Sequence, residues 1–249
     1  MPKREEPAHG ILKRYADAAP ITIVAAMSDL DDFVSAEPPW YTGQGDSGRT
    51  TFGRHGDVAK TDVRVTAYAE CDEANAAVSV AMAIGGLPIG VTSTLASVQN
   101  DMFDLIADLS VPLDAPEPAT ARIRESHLTR LERAVDHFAQ EATDLSGLVL
   151  PGGTVAAALL YHARAVVRRA ERAVWAAVEA YPTAVNPLAA RYLNRLSALL
   201  FVLARGANVE HGDVRWVPEA SARAMAQEEN DVDAGPSIPD DADGDGRPT

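Results

Sequence analysis

Residues 155–178 read VAAALLYHARAVVRRAERAVWAAV, a run of small and branched apolar side chains crossed by one block of charge. No Gly or Pro interrupts it, and Pro151, Gly152 and Gly153 form a turn before Thr154, a favourable helix N-cap. The stretch therefore predicts a helix from Thr154 to about Tyr181. At about 100° per residue, Arg164, Arg168, Glu171 and Arg172 share one narrow sector of that helix, so the apolar remainder must be buried against other elements. A helix of this kind belongs in a bundle.

Reading outward supplies the partners. Asn186 followed by Pro187 is the favoured order at a helix start and predicts a last helix running to about Arg205, with Gly206 beyond. Towards the amino terminus, Ala121 to Glu141 places Ile123, Leu128, Leu131, Val135 and Phe138 on one side. Before it, Val91 to Leu109 does the same with Leu95, Val98, Met102, Leu105, Ile106 and Leu109. Asp72 to Ile84 is Ala-rich and is closed by Gly85, Gly86 and Pro88. From Trp40 to about Thr66 the chain is rich in Gly, Thr and Asp, which predicts an extended loop rather than a helix. The fold class expected is all-α, an up-and-down five-helix bundle preceded by a glycine-rich loop.

The flanks differ from this middle. Residues 1–39 carry no motif and form an unassigned extension, residues 40–217 form the bundle domain, and residues 218–249 form an acidic tail. Nine acids against two arginines in residues 219–249 supply half of the net charge of −14, with few large apolar groups. Such a segment cannot bury enough surface to offset its ordering entropy and is expected to be disordered. The acidic balance argues against a duplex-binding protein, so no nucleic-acid partner is expected. The lone cysteine, Cys71, excludes an intramolecular disulfide and fits a reducing, cytoplasmic setting. The short apolar stretch Ile21 to Met27 does not read as a signal peptide, and no run is long enough to span a membrane.

Three guanidiniums and one carboxylate on one helical stripe are unlike an ordinary solvated face, which mixes signs and includes Lys. The planar donor fork of Arg suits phosphate oxygens, so the stripe points to a polyphosphate ligand. The loop Thr42-Gly-Gln-Gly-Asp-Ser-Gly-Arg-Thr-Thr51 offers backbone amides and hydroxyls to an anion. It lacks the order of a P-loop, and by itself reads equally as a polar surface loop. The six histidines show no i, i+4 pair with metal-ligand spacing, and neither a nucleophile elbow nor a base beside Cys71 is present. Covalent chemistry thus belongs to a bound cofactor.

Read together, Tyr41-Thr-Gly-Gln-Gly-Asp-Ser-Gly-Arg-Thr50, Asp72-Glu-Ala-Asn75, Gln99-Asn-Asp-Met-Phe-Asp104, Leu150-Pro-Gly-Gly153, the RRAER block ending at Arg172 and Asn194-Arg-Leu-Ser197 stand in an order that resembles the PduO-type ATP:cob(I)alamin adenosyltransferases. The resemblance spans about Trp40 to Trp216. It implies a homotrimer of five-helix bundles with an active site at each subunit interface. There ATP with Mg2+ meets a reduced corrinoid such as cobalamin, whose cobalt attacks the 5′ carbon and releases triphosphate. Thr42, Gly45, Asp46, Gly48, Thr50 and Lys60 match the triphosphate loop of one subunit. Arg168, Glu171 and Arg172 match the helical part of the ATP site, and Asn194 the residue near the nucleoside. Asp72 and Arg164 match a pair that bridges subunits and supports the site. A cobalamin reductase or a client mutase is the implied further partner.

Several positions depart from the family pattern. Gly43 replaces a basic residue of the loop, and Ala69, Glu70, Cys71 and Ala74 surround the Asp-Glu pair with unusual neighbours. Leu148 stands in place of an aromatic that packs on the corrinoid, and Ala198 replaces the Asp after Asn-Arg-Leu-Ser. These departures leave open two alternatives: a nucleotide- or corrinoid-binding carrier with weakened catalysis, and a bundle whose arginines only join subunits.

Overall fold

The computed structural model describes residues 42–225 except 118, 141 and 143–146. Its backbone divides into two units, residues 1–46 and 47–249, of which the first contributes only the turn at 42–46 to the described residues. The second opens with an antiparallel hairpin of β1 (Arg49–Thr51) and β2 (Asp57–Ala59), in the register Arg49 to Ala59, Thr50 to Val58 and Thr51 to Asp57. Five long helices follow: α1 (Val63–Ile84), α2 (Ile89–Leu109), α3 (Glu125–Ala139), α4 (Val155–Ala180) and α5 (Pro187–Ala207).

The helix ends show why the chain divides there. Asp62 accepts from the Arg64 amide at 2.9 Å, Thr154 Oγ1 from the Ala157 amide at 3.1 Å, and Asn186 Oδ1 from the Leu188 amide at 3.0 Å. Each satisfies a donor that the first turn leaves without a helical partner. The same Asn186 uses its other end to hold the molecule together. Its Nδ2 donates to Asp108 Oδ2 at 2.7 Å and to the Ile123 carbonyl at 2.9 Å, while Asp108, whose side chain is wholly buried, also accepts from Arg122 at 2.5 Å and from the Ile123 amide at 2.9 Å. The end of α2, the approach to α3 and the start of α5 are thereby clamped to one carboxylate.

Helix α4 packs between α1 and α5, α5 also packs on α3, and α1 on α2. The pairings are antiparallel: Arg169 reaches Glu70 and Glu73 while Tyr181 reaches Asp62, and Glu171 meets Asn194 while Thr154 meets Asn208. The core between them is built from Leu95, Met102, Leu160, Val174, Tyr192 and Leu196, all fully buried. At roughly 1.5–3 kcal/mol for each large apolar side chain, this burial is the main force holding the helices. Tyr192 keeps its hydroxyl satisfied in the core by donating to Asp101 at 2.9 Å, and Asp101 is in turn paired with Arg130.

The expected bundle is present, with changes at its edges. The first helix begins at Val63, nine residues before the expected Asp72, because Asp62 caps it from within the polar run that reads as loop. The same run holds the hairpin and its helical turn Gly53–His55, so residues 42–66 are not an unstructured loop. The third helix starts at Glu125 rather than Ala121, because Arg122 and Ile123 are held by Asp108. The last passes through Gly206 to Ala207, and the second starts at Ile89. Residues 220–225 add a helical turn with exposed side chains. The extension at 1–39, Tyr41, Glu141 and the tail after Met225 lie outside the described residues. Among those described, no helix is long and apolar enough to cross a membrane.

Candidate functional site

The antiparallel contact of α4 with α5 leaves a groove on the side away from the core. An open cleft of ≈ 540 Å³ is lined by His162, Ala165, Arg168, Arg169, Glu171, Arg172 and Asn194 among others. The helical period places 162, 165, 168 or 169 and 172 on one face, and the antiparallel pairing brings Asn194 of α5 opposite Glu171. Asn194 Nδ2 donates to Glu171 Oε1 at 3.0 Å, and Asn194 Oδ1 accepts from Arg195 at 2.8 Å, so the amide is fixed in orientation. Arg195 is itself held by Glu132 of α3 at 3.1 Å.

The three neighbouring arginines have separate fates. Arg169 is drawn sideways to Glu70 and Glu73 of α1 and serves the packing of α1 on α4. Arg168 and Arg172 point into the cleft, and among the described residues no ion pair engages either of them. A pair of exposed guanidiniums beside one carboxylate fixed by an amide is a surface suited to a multiply charged anion that also carries hydrogen-bonding groups.

One turn towards the start of α4 the groove changes character. Arg164 lies with its guanidinium 5.4 Å from the Phe201 ring centroid, and Arg205 lies 5.7 Å from the same ring. Burial and then the nearby Arg168 push the pKa of Arg164 down from the usual guanidinium range. Tyr161 meets Phe201 edge-on, and Arg205 is paired with Asp213 at 2.6 Å. Asp213 leads into a short backbone ribbon: the Leu150 amide donates to the Val214 carbonyl, and the Trp216 amide to the Leu148 carbonyl, each at 2.9 Å. Leu148, Leu150, Val214 and Trp216 therefore alternate with the bridged pair Val149 and Arg215, and all four are largely exposed.

The expected loop residues divide between the two units. In the first, Thr42 Oγ1 accepts from the Gln44 amide at 3.2 Å, Gly45 has φ +88°, and the Asp46 amide donates to the Gly43 carbonyl at 3.3 Å. Gly43 itself has φ +70°, a left-handed conformation that a basic side chain would hold only with strain, so its departure from the family pattern suits this turn. In the second, Gly48 and Lys60 close the open end of the hairpin through a 2.8 Å backbone bond, Thr50 sits in β1 opposite Val58, and the Lys60 side chain is exposed.

Within residues 47–249 the structure thus brings Arg168, Glu171, Arg172 and Asn194 together, and separately Gly48, Thr50 and Lys60. The hairpin lies at the Tyr181 end of α4, about 13 Å along the helix from Arg172 at 1.5 Å per residue. Asp72 is exposed on α1, and no ion pair joins it to Arg164 in this chain. His162, Tyr161, Phe201 and Arg205 were not singled out from sequence. His162 carried a signal in its spacing to Ala165, Arg168 and Arg172, whereas Phe201 and Arg205 become visible only once α4 and α5 are set antiparallel.

Residues 40–207 match the family described as cobalamin adenosyltransferase. A corrinoid adenosyltransferase of Mycobacterium tuberculosis H37Rv is 50% identical over 179 residues, covering 72% of this chain and 92% of that protein. The corrinoid adenosyltransferase of Bacillus subtilis is 35% identical over 175 residues, covering 69% and 88%. Among solved structures, a variant PduO-type ATP:corrinoid adenosyltransferase from Lactobacillus reuteri complexed with cobalamin and ATP is 30% identical, with a TM-score of 0.65 over 72% of this chain and 97% of that one. A second variant, complexed with ATP, gives 0.64 over 71% and 99%. A match that runs from the glycine-rich turn to the end of α5, shared in sequence and in backbone, places this chain in the cobalamin adenosyltransferase family.

Proposed function

We propose that the protein transfers the 5′-deoxyadenosyl group of ATP to the cobalt of a reduced corrinoid, giving adenosylcobalamin and triphosphate. The observation that carries this reading is the groove in which Arg168 and Arg172 stand without ion-pair partners among the described residues, beside the Glu171 and Asn194 pair, in a chain that shares its fold with ATP- and cobalamin-bound relatives. In the reaction the Co(I) electron pair forms the Co–C bond as the bond from C5′ to oxygen breaks, and the triphosphate departs with the electrons of that bond. The protein supplies no nucleophile; it orients two substrates and neutralises a polyanionic leaving group.

Arg168 and Arg172 bind triphosphate oxygens, and Glu171 with Asn194 accepts and donates hydrogen bonds around the nucleoside. Arg164, Phe201 and the apolar ribbon of Leu148 and Trp216 extend the groove towards the corrinoid. The hairpin serves the triphosphate of a neighbouring subunit's site, which accounts for its distance from the groove within residues 47–249, and Thr42, Gly45 and Asp46 serve the same triphosphate. The assembly is a homotrimer, with Asp72 of one subunit meeting Arg164 of the next. The groove fits a Mg2+ ion that arrives with its nucleotide rather than one caged by protein. Glu171 is its single carboxylate and is already engaged by Asn194, whereas magnesium is commonly held by one or two carboxylates together with substrate phosphates. When bound, the ion would offset the charge of the triphosphate. The carrier alternative is not favoured by any relative.

The test is an anaerobic mixture of protein, ATP, Mg2+ and chemically reduced cobalamin, followed through the cobalt absorption spectrum. Conversion to the adenosylated form is expected. Arg168→Ala and Arg172→Ala should each lower turnover by about 10²-fold or more, the usual loss when one donor to developing negative charge is removed. Turnover equal to that of the parent protein in both variants would remove the groove from the reaction.

A further inference from the structure

The hairpin that carries Gly48, Thr50 and Lys60 has only three residues per strand, too few to hold a shape alone. Its tip is fastened to the bundle at two neighbouring residues: the Arg54 amide donates to the Ser110 carbonyl at 2.9 Å and its guanidinium to the Glu117 carbonyl at 2.7 Å, and His55 ties the turn to α1 and α2. His55, in the turn Gly53–His55, places Nε2 at 2.9 Å from the Leu109 carbonyl and Nδ1 at 3.0 Å from a guanidinium nitrogen of Arg64. A carbonyl only accepts and a guanidinium only donates, so the two partners select the neutral ring with the proton on Nε2. Phe52 stacks on that ring at 5.3 Å, and an added Cβ at Gly53 would meet the Ser110 carbonyl at 2.1 Å, so the turn lies directly against the end of α2.

Arg64 is the hub of this fastening. It is paired with Asp62 at 2.8 Å, its guanidinium carbon lies 3.9 Å over the Tyr181 ring, and the Tyr181 hydroxyl donates to Asp62 at 3.1 Å. Both ion-pair partners are only 13% exposed. Asp62 is the N-cap of α1, its amide donates to the Ala59 carbonyl at the end of β2, and Lys60 lies between these two. The start of α1, the end of α2 and the end of α4 therefore converge on the segment that contains Lys60.

We propose that His55 is a positioning residue for the triphosphate loop: by accepting from Arg64 and donating to Leu109 it sets the hairpin in its binding geometry while the imidazole is neutral. The inference rests on the assignment of Gly48, Thr50 and Lys60 to the triphosphate. Protonation removes the Nδ1 acceptor and sets an imidazolium against the Arg64 guanidinium. The charged groups facing the ring are Arg64 and Asp62 at the start of α1 and Asp114 beyond α2, while Tyr181 bears on it through Asp62. Burial first, and then Arg64, lower the His55 pKa, while the Leu109 bond and the two acids act in the opposite sense. A base with a depressed folded pKa contributes its full stabilisation above its unfolded value, about 6.5, and loses it as pH falls towards the folded value. The fastening is thus present at neutral pH and released on the acid side.

The experiment compares the parent protein, His55→Gln and His55→Ala by adenosyl-transfer kinetics between about pH 5 and 8, the range in which histidine titrates. It is paired with amide hydrogen exchange of residues 49–59 without nucleotide. His55→Ala should raise KM for ATP about tenfold with kcat little changed, as loss of a hydrogen bond to a charged group suggests. The parent KM should rise on the acid side, and hairpin exchange should quicken with it. His55→Gln, which cannot titrate, should remove that acid dependence and recover part of the affinity. A parent-like KM in His55→Ala, or an acid rise that persists in His55→Gln, would overturn the proposal. If the parent protein bound ATP but transferred nothing, the reaction would fall, and the pH dependence of exchange would still decide whether the fastening exists.

Discussion

Arg168, Arg169 and Arg172 occupy less than two turns of one helix and all border the open cleft, yet the middle one is tied to Glu70 and Glu73 while, among the described residues, no ion pair engages the other two. The difference is one of angle: a step of about 100° carries Arg169 to the α1 side. It also gives a purpose to Glu70, which departs from the family pattern and here anchors α1 to α4. Leu148 is the departure that the proposed reaction ties to the corrinoid. The residue is 69% exposed, with Trp216 paired to it across the ribbon. An aromatic ring at this position would add a flat apolar face of the kind that planar macrocycles pack against. Leu148→Phe is accordingly expected to raise kcat/KM for cobalamin several-fold, by about 0.5–1.5 kcal/mol of added aromatic contact. Initial rates at limiting cobalamin measure this; an unchanged or lower value would show that the ribbon does not meet the corrinoid.

Among the elements, the Asp108 clamp decides how three helix ends are held. Its buried carboxylate accepts from Arg122, Ile123 and Asn186, so Asp108→Ala removes the charge partner of Arg122 and an acceptor from the Ile123 amide and the Asn186 side chain. A loss of about 3–5 kcal/mol is expected, as for a buried pair deprived of one member, and a urea denaturation midpoint would register it. The clamp also explains what sequence could and could not tell. Helices α4 and α5 were legible because Thr154 and the Asn186-Pro187 pair are local signals. The start of α3 was not, since Arg122 and Ile123 are withheld from it by a carboxylate far away in sequence. The start of α1 was hidden for a different reason: Asp62 looks like one more polar residue of the loop until Arg64 and Tyr181 close around it. The groove was half legible, its arginine face from periodicity and its Phe201 and Arg205 side only from antiparallel pairing.

For the whole molecule, the hairpin and the groove of the proposed site stand apart within residues 47–249, so the proposed reaction predicts that activity depends on association. The protein is expected to sediment as a trimer, and Asp72→Ala to shift it towards smaller species with a parallel loss of turnover on dilution, since one charge of the bridging pair would be left unmatched. Analytical ultracentrifugation over a dilution series checks both; an active species with the mass of a single chain would contradict the shared site. The pairing of α4 with α5 also constrains how relatives can differ in length. Inserting one residue between Val155 and Glu171 would turn Glu171 and Arg172 by about 100° relative to Thr154, so that the rungs Glu171 to Asn194 and Thr154 to Asn208 could not both be kept. Viable insertions and deletions should therefore collect in the connector 181–186 and beyond residue 208, while the two helices keep a fixed ladder of partners across evolutionary distance.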